Sequence, residues 1–214
     1  MISILRAQSQ EQKKELWSEV LKSKNEFQES LADRGRLLYL SQRAEHNEVS
    51  LFIHVIDPDT IADFIAEKLT KIPHITGLWI INLFKPVFHP LPKDTRDLIR
   101  YVVTMKVFPD KLKEVYDKLS SLELPDGIYK AYLAYTFHLF GDCIMLSVLA
   151  GQDSQIAKDA HGIISNMPGV LAVHIDRIEK THPLISYEEW KAYAAEHGIV
   201  SAWRQTLMIQ QFEK

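Results

Sequence analysis

Apolar and polar positions alternate through the second half of the chain with little ambiguity. YVVTMKVFP (101–109) sets Tyr101, Val103, Met105 and Val107 on one face, the period-two signature of a strand. PDKLKEVYDKLSSL then carries Leu112, Val115, Leu119 and Leu122 at helical spacing, and Pro109 suits a helix start. LPDG (124–127) marks a turn. IYKAYLAYTFHLF alternates again, Gly141 and Asp142 interrupt it, and CIMLSVLAG resumes, so the pair reads as a hairpin. QDSQIAKDAHGIISNM turns Ile156, Ala160, Ile163 and Ile164 inward as a helix, and GVLAVHIDRIEK closes as a strand. The order β-α-β-β-α-β defines a ferredoxin-like unit.

The same pattern occurs about 95 residues earlier. That shift carries Leu146 onto Leu51 and Met167-Pro168 onto Ile72-Pro73, and His-Pro-Leu recurs at 89–91 and 182–184. Strands are predicted at 35–42, 50–56 and 77–84, with a helix over 57–72 capped by Asp57 and Pro58. Leu16, Val20, Phe27 and Leu31 form one stripe of a single long helix over 8–32, and MISILRA supplies a first strand. Several strands are apolar on both faces, as in Leu51, Ile53 and Val55 against Phe52 and Ile56. An exposed second face of that kind costs about 25 cal/mol per Å², so it calls for cover.

The expected fold is α+β: two tandem ferredoxin-like (βαββαβ) units, their antiparallel sheets packed face to face, plus a C-terminal helix and tail. The first unit takes 1–92, the second 98–185, and 186–214 forms the helix and tail, with Ser186 and Glu189 as a capping box. Trp203, Leu207 and Phe212 give the tail an apolar face to pack.

Composition narrows the function. Apolar residues make up 46% of the chain, enough for a large core, and the net charge of −3 has no basic run beyond Lys13 and Lys14. A dedicated nucleic-acid surface is therefore not expected. A lone cysteine, Cys143, excludes an internal disulfide and fits a reducing compartment. No signal peptide or membrane span is evident, so a cytoplasmic protein without membrane association is expected.

FGDCIMLSVLAG, a helix, then MPGVLAVHIDRIEKTHPL resembles the effector-binding domain of the Lrp/AsnC family of regulators. The match covers about 98–185, with a diverged copy over about 35–92. The resemblance implies sheet-to-sheet dimerisation and a small effector, such as an amino acid, held at a subunit interface near the Gly141-Asp142 turn. The first copy has His46 and Asn47 at the corresponding places. The family's helix-turn-helix is missing here, so any DNA reading falls to a partner protein.

Nine histidines raise a metal hypothesis: His46, His54, His74, His89, His138, His161, His174, His182 and His197. None has zinc-type spacing, and no metal site is predicted. The repeated His-Pro-Leu reads as a strand stop. His174 and Asp176 share one face of a strand, where a polar pair needs partners, a ligand or solvent. Tyr132, Tyr135 and Phe137 line either a pocket or the core. The candidate ligand-binding set is Gly141, Asp142, Tyr135, His138, His174 and Asp176.

Two readings follow. The first is an Lrp/AsnC-type regulatory protein that binds a small effector and acts through homo-oligomerisation in transcriptional control, with no cofactor. The second is a haem- or tetrapyrrole-binding enzyme, or a small monooxygenase, on the same duplicated architecture. His174, His138 and Tyr135 would then supply ligand or proton-transfer groups.

Overall fold

The computed structural model describes residues 1–10, 13–92, 95, 97–137, 141, 143–151 and 154–199. The chain runs β1 (Ile2–Gln8), α1 (Lys13–Lys22), α2 (Lys24–Leu31), β2 (Gly35–Arg43), β3 (Glu48–Val55), α3 (Asp59–Glu67) and β4 (Gly77–Phe88). It continues with β5 (Ile99–Val107), α4 (Leu112–Ser121), β6 (Ile128–Tyr135), β7 (Ile144–Ala150), α5 (Ser154–Ser165), β8 (Val170–Pro183) and α6 (Tyr187–Glu196). None of these helices is long and apolar enough to cross a membrane, among the described residues.

Two compact units divide the chain. The first comprises Met1–Leu83 with Ile178–Trp190, the second Phe84–Arg177 with the chain from Lys191 onward. In the first unit β1 lies between β4 and β3, and β2 follows β3. Leu16, Val20, Phe27 and Leu31 bury the helical stripe against Leu37, Leu51 and Ile53 of this sheet. Phe27 meets Phe64 of α3 edge-on, with ring centroids 5.2 Å apart. The helix expected over 8–32 is in fact two: β1 extends through Gln8, and Ser23 separates α1 from α2.

In the second unit β5 lies between β8 and β7, and β6 follows β7. Val103, Met105, Leu133 and Leu146 of the sheet enclose a core with Val115 and Leu119 of α4 and Ile164 of α5. α6 has the expected capping box: Ser186 N–H donates to Glu189 Oε2 at 2.6 Å, and Glu189 N–H donates to Ser186 Oγ at 3.2 Å. Trp203, Leu207 and Phe212 lie outside the described residues.

The expected pair of sheets stacked face to face is corrected here. The strands form one closed antiparallel barrel in the order β1-β3-β2-β8-β5-β7-β6-β4, with β4 pairing back to β1. The physical cause is the length of β4 (12 residues) and β8 (14 residues). β4 pairs with β1 along residues 77–83, then with β6 through Phe84↔Tyr135, Val87↔Leu133 and Phe88↔Tyr132. β8 pairs with β5 over Val170 to Arg177, then with β2 from Ile178 to Pro183. Closure leaves no free sheet edge among the described residues. The two-faced apolar strands fit this ring, since β3 and β7 are buried along their whole length.

Candidate functional site

β8 carries a histidine and a carboxylate in contact. Val173 and Ile175 pack against the helix-side core. Alternation turns His174 and Asp176 to the opposite face, where Thr104 and Val102 of β5 are their cross-strand neighbours. Asp176 is only 6% exposed, whereas the His174 side chain is 65% exposed, and His174 Nε2 lies 3.0 Å from Asp176 Oδ1. An ionised carboxylate only accepts, so the bond assigns the ring proton to Nε2. The ring then presents the Nδ1 lone pair away from Asp176. An imidazole oriented by a carboxylate can take a proton from a bound molecule.

On the helix side of the same sheet, Tyr101, Val103, Ile128, Val148, Ala150 and Ile175 face Ala160 of α5 across an apolar cavity. Its free space of about 10 Å³ is roughly that of one water molecule. A haem does not fit there. The volume is far below that of a cofactor pocket, no histidine lines it among the described residues, and His161 of α5 is exposed instead. Among the described residues, Tyr101 is its one lining side chain with a polar head.

The structure brings together some of the sequence candidates and separates others. His174 and Asp176 form the pair described. Tyr135 ends β6 on the other face of the sheet, stacked on Tyr116 of α4 with centroids 4.1 Å apart. Gly141 has φ +80°, which favours glycine, and its carbonyl accepts the Cys143 thiol at 3.3 Å. His138 and Asp142 lie outside the described residues.

His89 carried no signal beyond a strand stop. Its N–H donates to Ala131 O at 3.0 Å, while Nε2 is buried without a partner among the described residues. Burial, helped by the Lys130 ammonium, pushes its pKa down to about 4. Lys130 donates to the carbonyls of Leu119 and Ser120 at the end of α4. Only the folded chain, which brings 89 beside 130, makes this histidine unusual.

The sequence matches no protein-family model and no curated protein. Solved structures do share the fold. An anthrone oxidase-like protein superposes with a TM-score of 0.55 at 10% identity, over 86% of this chain and 94% of its own. A variant of the chlorite dismutase from Candidatus Nitrospira defluvii gives 0.54 at 10% identity, covering 84% and 91%. The siroheme decarboxylase NirDL, solved with an iron-uroporphyrin III analogue, gives 0.53 at 8% identity, covering 91% and 78%. At such identities the likeness is one of fold.

These neighbours are named for catalysis, and they overturn the Lrp/AsnC resemblance together with the effector-binding, transcription-regulating role drawn from it. The Pro-Gly-Val motif that suggested it has a local cause. Gly169 has φ +98°, and a Cβ there would lie 2.7 Å from Lys111 Cβ. The glycine lets β8 begin against the start of α4, a need that any chain folding this way can share.

Proposed function

We propose that this chain is an enzyme of the oxidase and monooxygenase kind that takes a proton from an acidic, planar aromatic substrate, with His174 as the base. The observation that carries this reading is the His174–Asp176 pair: a buried carboxylate fixing an exposed imidazole on a strand. The fold is shared with an anthrone oxidase-like protein, which suggests the substrate class to try first. Proton removal from the methylene carbon leaves a carbanion that dioxygen can oxidise. The methylene loses two hydrogens and gains one oxygen atom, and the second oxygen leaves as water. His174 takes the first proton, and Asp176 acts through it as a positioning residue.

A tetrapyrrole is the other ligand class raised by the comparisons, since the siroheme decarboxylase was solved with an iron-uroporphyrin analogue. Such a ligand would need a place other than the small apolar cavity beneath α5.

The test is oxygen uptake and quinone formation from anthrone by the purified chain. His174→Gln is expected to lower the rate roughly 10²–10⁴-fold, with Asp176→Asn following in part. Absence of turnover that depends on His174 defeats the reading. A Soret shift on adding haemin, with no anthrone turnover, would move the assignment to a tetrapyrrole enzyme.

A further inference from the structure

The small cavity on the helix side of the second unit's sheet has walls that decide what can occupy it. Apart from Tyr101 its lining is aliphatic, and every lining residue is buried except Ile175, which is partly so. The space exists because two alanines face it, Ala150 at the end of β7 and Ala160 in α5, where longer side chains would fill it. Protein interiors close most such gaps, since a wall without neighbours forfeits its dispersion contacts.

Water suits this space poorly. A buried water molecule makes about three hydrogen bonds. The backbone around the cavity is engaged in the sheet ladder, β5 with β7 through Tyr101↔Val148 and Val103↔Leu146, and β6 with β7 through Ile128↔Ala150. Among the described residues only the Tyr101 hydroxyl can offer a side-chain bond, which leaves a water well short of its usual number. An apolar space of this kind stays dry and accepts small nonpolar species such as xenon. The free space of about 10 Å³ restricts the choice to an atom or a diatomic molecule.

Position supplies the identity. Ile175 lies between His174 and Asp176 on β8 with its side chain turned the opposite way, toward the cavity. The cavity therefore backs onto the strand that holds the proposed base. The reaction proposed for that base consumes dioxygen, a nonpolar diatomic molecule.

We propose that this cavity binds dioxygen, the second substrate of the oxidation. The identity of the gas rests on the proposed reaction, whereas its nonpolar character rests on the lining alone.

Methyl NMR of the full chain under dioxygen pressure tests this, because the paramagnetic gas speeds relaxation of the methyls it touches. The Val148 and Ile175 methyls should relax severalfold faster than those of Leu51 and Ile53 in the core of the first unit. Xenon should shift the same Val148 and Ile175 signals and compete with dioxygen. Ala150→Val narrows the space and should abolish both effects, whereas Val148→Ala widens it and should strengthen them severalfold at Ile175. During anthrone oxidation Ala150→Val should raise the KM for dioxygen severalfold and leave kcat unchanged. Relaxation spread evenly over both cores overturns the assignment, as does a localised effect or an oxygen KM that ignores both substitutions. A localised effect in a chain that does not oxidise anthrone sinks the proposed reaction and leaves the gas site standing.

Discussion

The hydroxyl of Tyr116 donates to the backbone carbonyl of Lys85 at 2.6 Å, tying α4 to the irregular turn of β4. The phenol is mostly buried, and its pKa is pushed up to about 12, by that burial first and by the nearby Tyr135 and Asp117 after it. Tyr116→Phe keeps the ring stack and removes only this bond. It should cost about 1 kcal/mol in urea unfolding, and an unchanged midpoint would show that the turn holds without it.

Arg43 and Glu48 pair at 2.5 Å across the β2–β3 connection, and both side chains are almost wholly buried. Breaking such a pair from one side strands a charge away from water. Glu48→Leu should therefore destabilise the chain by about 3 kcal/mol, whereas Arg43→Met with Glu48→Leu should recover most of that loss. Equal losses in the single and double variants, measured by denaturant unfolding, would contradict this.

His89 sets a pH dependence whose sign is fixed. Its pKa is about 4 in the folded chain against an ordinary value of 6.5, so between these values only the unfolded chain takes up the proton. Stability contributed at neutral pH is lost as pH falls from 6.5 to 4, by at most about 1.4 kcal/mol per pH unit. His89→Leu should flatten that part of the Tm-versus-pH curve. A parallel curve for the variant would assign the acid sensitivity elsewhere.

Lys24 Nζ lies 3.1 Å from His182 Nε2, so the ring must be neutral to accept. Burial and then the Lys24 charge lower the His182 pKa. Acidification below the ordinary histidine range should break this contact first among those of α2. His182 ring chemical shifts followed by NMR should titrate at lower pH in the native chain than in Lys24→Met.

Much of the local structure was legible in the residues, because it rests on local physics. Alternation in YVVTMKV gave β5, and Ser186 with Glu189 gave the start of α6. The continuation of β4 through 85–88 was hidden, since Pro86 reads as a strand breaker. The fold accommodates it with a positive-φ lysine and a register slip, neither of which leaves a mark in a single sequence. The pairing of β8 with β2 joins Tyr39 to Pro183, a contact that no periodicity encodes. The site divides in the same way. His174 and Asp176 share a face because strands have period two, so their meeting was foreseeable. The buried nitrogen of His89, without a partner among the described residues, and the ring stack on Tyr116 depend on neighbours remote in the chain.

That β4 and β8 each serve both units has a consequence for dissecting the molecule. A cut in the connection between Phe88 and Ile99 would not release two independent modules. The front fragment would keep 84–88 without the β6 they need, and the rear fragment would keep 178–183 without β2. Each piece retains a raw strand end whose mate is on the other, so the halves are built to behave as complementing fragments.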